Sequence, residues 1–199
     1  MITHAFFDIG GVLGSNAWDS NERARAVAHF QLGEEFEPRH QEVVAEWEMG
    51  RLSLDEYLDS TVFFTERSFG REQFVDFMFE ASQPDPATIA LVRRVATRGL
   101  VRLFTLNNES EALNQHRITA FGLNQLFDGF LSSCWLGVRK PSRLIFRRAL
   151  HIVQAEADSV LFVDDRAQNL QPAEALGMHT HHFVGADALG AVLEQYGLL

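Results

Sequence analysis

The chain has 199 residues, 46% of them hydrophobic, enough to build one ordinary domain with a real core that its 17 Phe make aromatic-rich. Its 27 acids against 17 bases give a net charge of −10. That balance argues against general nucleic-acid or anionic-membrane binding, while one local cation suffices for a small phosphorylated ligand. The lone Cys134 permits no internal disulfide and no cysteine-based zinc cluster. No basic-plus-apolar leader and no long apolar run is present, so a cytoplasmic protein without a membrane span is expected.

The first predicted element is a strand from Thr3 to Asp8. A mostly helical stretch follows. Ser20 caps a helix through Arg23 to Phe30, and Pro38 suits the first turn of a second helix ending at Met49 before Gly50. Ser53 and Glu56 have the spacing of a capping box that opens a third helix. A fourth covers residues 71–81, with Phe74, Phe77 and Met78 on one stripe.

From Asp85 onward helix and strand alternate. A helix with Ile89, Val92 and Val95 inward ends at Gly99, and a strand runs from Leu100 to Leu106. A helix from about Ser110 to Gly122 leads to a short strand at Phe130-Leu131-Ser132. A helix carrying Phe146, Ala149, Leu150 and Val153 precedes the strand Val160 to Val163. Another helix, a strand around His179 to Phe183 and a last helix to Tyr196 complete the chain. This alternation predicts an α/β fold with a Rossmann-like parallel sheet covered by helices on both faces. The expected division is a core of residues 1–14 and 84–199, with residues 15–83 as an inserted small helical cap.

Four segments carry the candidate chemistry. Ala5-Phe6-Phe7 delivers Asp8, and Ile9-Gly10-Gly11 follows, which reads as a buried strand ending in a loop that approaches a ligand closely. A carboxylate at the carboxyl end of a first strand is well placed for chemistry in an open α/β sheet. Thr105-Leu106-Asn107-Asn108-Glu109-Ser110 ends the second strand, and Gly137-Val138-Arg139-Lys140-Pro141 supplies a lysine before a helix. Phe162-Val163-Asp164-Asp165 ends a buried strand in two adjacent acids, hard oxygen ligands of the kind Mg²⁺ prefers. Adjacent acids repel each other outside a metal site, a local conflict that points to function. His179 and His181 share a face of their strand, but no third ligand has matching spacing, so a strand-end role is expected. Cys134 and Trp135 are expected in the core.

In this order the four segments resemble the motifs of the haloacid dehalogenase superfamily, mostly Mg-dependent phosphatases. The resemblance runs from Phe6 to about Val184. With Trp47-Glu48-Met49-Gly50-Arg51-Leu52-Ser53 it is similar to the small-cap subgroup that includes the phosphatase-like domain of soluble epoxide hydrolase and bacterial sugar-phosphate phosphatases.

The resemblance implies Asp8 as nucleophile and Lys140 as the cation on nucleophile and phosphoryl group. Asn107 falls in the slot where the family places Ser or Thr, while a one-residue slip would put Leu106 there. Asn108 and Trp18 are substrate-binding candidates, Trp18 otherwise packing between cap and core. Mg²⁺ is implied on Asp8, the Gly10 carbonyl and Asp165, with Asp164 either ligating too or holding Lys140. Asn169 is expected to order that loop.

One departure is plain. The family's first motif is usually Asp-x-Asp, the second acid protonating the leaving group, and here Gly10 holds that place. The expected activity is hydrolysis of a small phosphorylated metabolite through an aspartyl-phosphate. The alternatives are a dehalogenase, which the lack of a Tyr at Gly10 disfavours, a phosphomutase, or a non-catalytic binding protein on the same scaffold. Substrate and oligomeric state have no readable code.

Overall fold

The computed structural model describes residues 1–199. Five parallel strands, β1 (His4–Phe7), β2 (Arg102–Thr105), β3 (Gly129–Phe130), β4 (Val160–Asp164) and β5 (His179–His182), form one sheet in the order β3-β2-β1-β4-β5. β1 is central. The chain builds outward through β2 and β3, then returns to the other side of β1 with β4 and β5. A sheet of this kind opens a crevice beyond its carboxyl ends where the order reverses, so the ends of β1 and β4 are the natural place for a ligand.

The register follows the two-residue alternation of the strands. Phe6 lies beside Phe104 of β2 and Phe162 of β4, while Phe7 pairs with Thr105 and Val163. One face therefore presents Phe6, Phe104 and Phe162, which pack on Ile145, Phe146 and Ala149 of α8 (Arg143–Val153) and Leu170 and Ala173 of α9 (Ala167–Glu174). The other presents Ala5, Phe7, Leu103, Leu161 and Val163 to Val92 and Val95 of α5 (Pro86–Arg98) and Leu189 and Leu193 of α10 (Ala186–Gln195). Both faces are covered, as continuous apolar parallel strands require.

Between β1 and α5 lie α1 (Ser20–Phe30), α2 (Phe36–Glu48), α3 (Leu54–Thr61) and α4 (Arg71–Glu80). They close on an aromatic nucleus of Trp18, Phe30, Phe36, Trp47, Tyr57 and Phe74, which also takes in Leu113 of α6 (Glu111–Ala120). Trp47 stacks on Tyr57 at 3.8 Å between ring centroids. The capping box is present, Ser53 Oγ accepting from the Glu56 N–H while Glu56 accepts from the Ser53 N–H. Ser20 is the first residue of α1, and its cap is Asp19, whose carboxylate accepts from the Ser20 N–H. A short helix α7 (Ser133–Leu136) occupies a stretch with no sequence signal of its own. It buries Cys134 but leaves Trp135 44% exposed, so Trp135 lies outside the expected core. No helix is long and apolar enough to cross a membrane.

Candidate active site

The strand ends bring three acids together. One carboxylate oxygen each from Asp8, Asp164 and Asp165 lies within 4.8 Å of the others, the one such cluster of three or more metal-ligating side chains in the molecule. Asp8 follows β1, its N–H bonded to the Val163 carbonyl, and its Oδ1 accepts from the Ile9 N–H. Burial raises its carboxyl to about 7, with Asp164 and Asp165 pushing the same way and Lys140 opposing.

Lys140 enters from the loop before α8 and is buried. Its Nζ lies 2.6 Å from Asp164 Oδ2, 2.9 Å from the Leu106 carbonyl and 3.0 Å from Asp8 Oδ2, which engages all three donors. Its attraction to Asp8 and Asp164 outweighs burial and keeps the ammonium charged. Asn108 clamps the lysine backbone, Oδ1 accepting from the Lys140 N–H at 2.8 Å and Nδ2 donating to the Lys140 carbonyl at 2.9 Å.

The two adjacent acids divide their work. Asp164 is fully buried and accepts from Lys140, the Arg166 N–H and the Asn169 amide, so it ties the loop together. Asp165 keeps a buried Oδ1 with no hydrogen-bond partner. Burial raises its carboxyl, and neighbouring Asp164 adds to the shift. A buried carboxylate oxygen without a donor is costly unless something positive meets it. Three clustered acids against one lysine likewise leave negative charge uncompensated. These residues fit a hard divalent cation held by Asp8 and Asp165.

A cavity of about 120 Å³ opens beside Asp8 and Lys140, lined by 17 residues of which three are hydrophobic, Trp18, Val44 and Trp47. Asp8, Gly10, Asn16, Asn108, Lys140 and Asn169 line it from the sheet side, and His40, Trp47 and Glu48 from α2. Trp18 both lines the cavity and packs in the aromatic nucleus, its Nε1 donating to Tyr57 Oη at 2.8 Å. The Tyr57 hydroxyl also meets His40 Nδ1 at 2.8 Å. Burial holds the His40 imidazole down to about 4, with Arg23 adding to it, so the ring is neutral near pH 7.

Asn107, expected among the phosphoryl contacts, does not line the cavity. Its Nδ2 donates to Asn114 at 2.9 Å and its Oδ1 accepts from Ser132 at 2.8 Å, so the whole amide is engaged in the interior. The sheet explains this. The Leu106 N–H bonds to the Phe7 carbonyl, which makes Leu106 the residue beside Asp8 and turns Asn107 away. The side chain next to Asp8 is therefore an apolar leucine, buried in the core. His179 and His181 form no metal pair: His179 Nε2 contacts the Asp158 carbonyl and its other nitrogen faces Tyr196.

Two charged residues of the cavity that had no sequence assignment bind each other. Glu109 and Arg117 form a buried ion pair, Arg117 Nη1 lying 3.4 Å from Glu109 Oε2. Arg117 also donates to the Ser15 carbonyl, and its Nε has no partner. Burial raises the Glu109 carboxyl to about 7 against the pull of Arg117. A signal for Arg117 does exist in the chain: with Leu113 and Asn114 it occupies the buried stripe of α6, where a lone cation needs an acid.

The glycines divide as well. Gly11 has φ +72°, and a Cβ there would lie 2.2 Å from Asp165 Oδ2. Gly10 has no such backbone, and a Cβ there would meet Asn16 Oδ1 at 3.0 Å and Arg117 Nη1 at 3.5 Å, with Asn16 Cα at an ordinary 3.8 Å.

A family model described as haloacid dehalogenase-like hydrolase matches residues 2–177. Over 190 residues the chain is 23% identical to the sesquiterpene phosphatase astK of Aspergillus oryzae, covering 94% of this chain and 81% of that one. Among solved structures, a HAD-like family hydrolase from Porphyromonas gingivalis superimposes with TM-score 0.80 at 22% identity, covering 98% of each chain. The HAD family enzyme bt-2542 of Bacteroides thetaiotaomicron, in complex with magnesium and inorganic phosphate, gives TM-score 0.77 at 18% identity, over 91% of this chain and 93% of that one.

Proposed function

The chain belongs to the haloacid dehalogenase-like hydrolases, and on that footing we propose that it is a Mg²⁺-dependent phosphatase acting on a small phosphorylated metabolite. The observation that carries this reading is the meeting of Asp8, Asp164 and Asp165, with the Lys140 ammonium between Asp8 and Asp164 and both Asp8 and Lys140 lining a polar cavity. The similarity to a phosphatase over most of the chain supports it, as does a neighbour of the same fold that holds magnesium and phosphate together.

Asp8 Oδ attacks phosphorus and forms an aspartyl-phosphate, which water then hydrolyses. Lys140 Nζ, already 3.0 Å from Asp8, moderates the repulsion between the carboxylate and the incoming phosphoryl dianion. Asn108 fixes that lysine through its backbone, and Asp164 fixes the ammonium end. Asp8, Asp165 and the Gly10 carbonyl would hold Mg²⁺, and the bound ion supplies positive charge to the phosphoryl oxygens. The helices α1–α4 act as the cap: Trp18, His40 and Trp47 face the leaving group and exclude bulk water. A lining with three hydrophobic residues in 17 suits a polar leaving group better than a hydrocarbon one.

The test is a panel of phosphorylated metabolites offered to purified protein with Mg²⁺, with and without chelator, beside Asp8→Asn. Turnover of at least one member, abolished by the chelator and by the variant, supports the reading. Turnover that survives Asp8→Asn contradicts it.

A further inference from the structure

We propose that Glu109 is the proton donor to the leaving group, serving from the β2–α6 loop the place that Gly10 leaves without a carboxyl. This rests on the phosphatase reading above. A side chain begun at Gly10 would start 3.5 Å from Arg117 Nη1, so a carboxyl hung there would lie against that guanidinium. In this chain the same Nη1 faces Glu109 Oε2 at 3.4 Å. One cation thus looks at the empty acid position on one side and at a buried acid on the other. Both Glu109 and Arg117 line the cavity that holds Asp8 and Lys140.

The Glu109 carboxyl is held as a donor needs to be. Its Oε1 accepts from the Ser110 N–H at 3.0 Å, and Oε2, which accepts from Arg117 Nη1 only at 3.4 Å, is the oxygen that carries the proton. Its backbone N–H is bound by Ser133 Oγ at 3.0 Å, and that hydroxyl donates to the Glu48 carbonyl of α2 at 2.6 Å, which ties the acid to the helix above the cavity. The pair is also incompletely bonded for a purely structural one: Arg117 Nε has no partner, and the contact to Glu109 is long for a charged pair. The charged and titratable groups facing Glu109 are Arg117 of α6, Glu48 of α2 and Cys134 of α7. Burial, reinforced by Glu48, keeps the carboxyl protonated into the neutral range where a general acid is most effective.

In the first step the Asp8 oxygen–phosphorus bond forms and the phosphorus–leaving-group bond breaks. The leaving oxygen takes the bonding pair and the Glu109 proton and departs as the alcohol. In the second step the Glu109 carboxylate takes a proton from water as the water oxygen bonds to phosphorus. The Asp8–phosphorus bond breaks, Asp8 regains its carboxylate, and inorganic phosphate is released.

The experiment compares wild type and Glu109→Gln with Mg²⁺ on a series of phosphate monoesters, from nitrophenyl to simple alkyl leaving groups. The expected result is a roughly 10²–10⁴-fold loss in kcat for alkyl esters with less than about tenfold loss for nitrophenyl phosphate. Gly10→Asp in the Glu109→Gln background should recover part of the alkyl activity, because the new carboxyl would meet Arg117. ¹³C-carboxyl NMR of the resting protein should show one glutamate titrating near 7 that Glu109→Gln removes. Equal losses across the series, selective loss in Glu48→Gln instead, or a Glu109 carboxyl that ionises in the ordinary glutamate range would each overturn the proposal. Failure of the wild type on nitrophenyl phosphate, whose leaving group needs no proton, would instead strike the phosphatase reading itself.

Discussion

Adjacent glycines in the loop after β1 should respond in opposite ways to a single methyl group. Gly11 has φ +72°, and its new Cβ would sit 2.2 Å from Asp165 Oδ2 and 2.5 Å from Asp165 Cγ. Gly11→Ala therefore carries a left-handed backbone cost of about 1–2 kcal/mol and must also push the Asp165 carboxylate out of place. At 2–4 °C per kcal/mol for a chain of this size, the backbone part alone lowers Tm by roughly 2–8 °C. Gly10→Ala has no positive-φ cost, and its one tight contact is the tip of Asn16 at 3.0 Å, so its Tm should stay within about 2 °C of wild type. Calorimetric titration with Mg²⁺ reads the second effect: Gly11→Ala should lose affinity at least tenfold, and Gly10→Ala should keep it. Wild-type Mg²⁺ affinity in Gly11→Ala would refute the reasoning that Asp165 must hold its present position to ligate.

Lys140→Met should unfold more easily by about 3–5 kcal/mol in chemical denaturation, because Asp8 and Asp164 are left as buried acids without their cation, and it should lose phosphatase activity. Tyr57→Phe leaves the buried Trp18 Nε1–H and His40 Nδ1 without their shared partner, a loss of about 1–3 kcal/mol for each group in the same measurement. His40 titrates near 6.5 in the unfolded chain and at about 4 in the native one, so its contribution is complete above 6.5 and is lost as pH falls through 4. His40→Asn should accordingly show a shallower decline of Tm between pH 6.5 and pH 4 than wild type.

The parts of the fold that could be read from the chain were those with local causes. Apolar runs such as Val160–Val163 mark buried strands, and Ser53 with Glu56 marks a helix start, whatever the rest of the chain does. The strand-end acids and Lys140 were legible because each sits at a fixed offset from such an element. The next residue was not. Whether Leu106 or Asn107 stands beside Asp8 depends on inter-strand register, and a slip of one residue exchanges the two faces of a strand. Glu109 and Arg117 are joined by a pairing across the loop and two turns of α6, for which the sequence offers only a cation on a buried stripe. Gly10 drew attention as a missing acid, yet it is Gly11 whose backbone and neighbours demand glycine. Trp135 looked like core by composition, but α7 turns its ring outward.

The central claim is that Asp8 becomes phosphorylated in turnover. Protein mixed with Mg²⁺ and a phosphorylated substrate from the panel, quenched in acid, reduced with borohydride and mapped by peptide mass spectrometry should yield homoserine in place of Asp8, with none formed when substrate or Mg²⁺ is withheld. Turnover of the same substrate with Asp8 recovered unmodified, or with the label on another residue, would contradict the account.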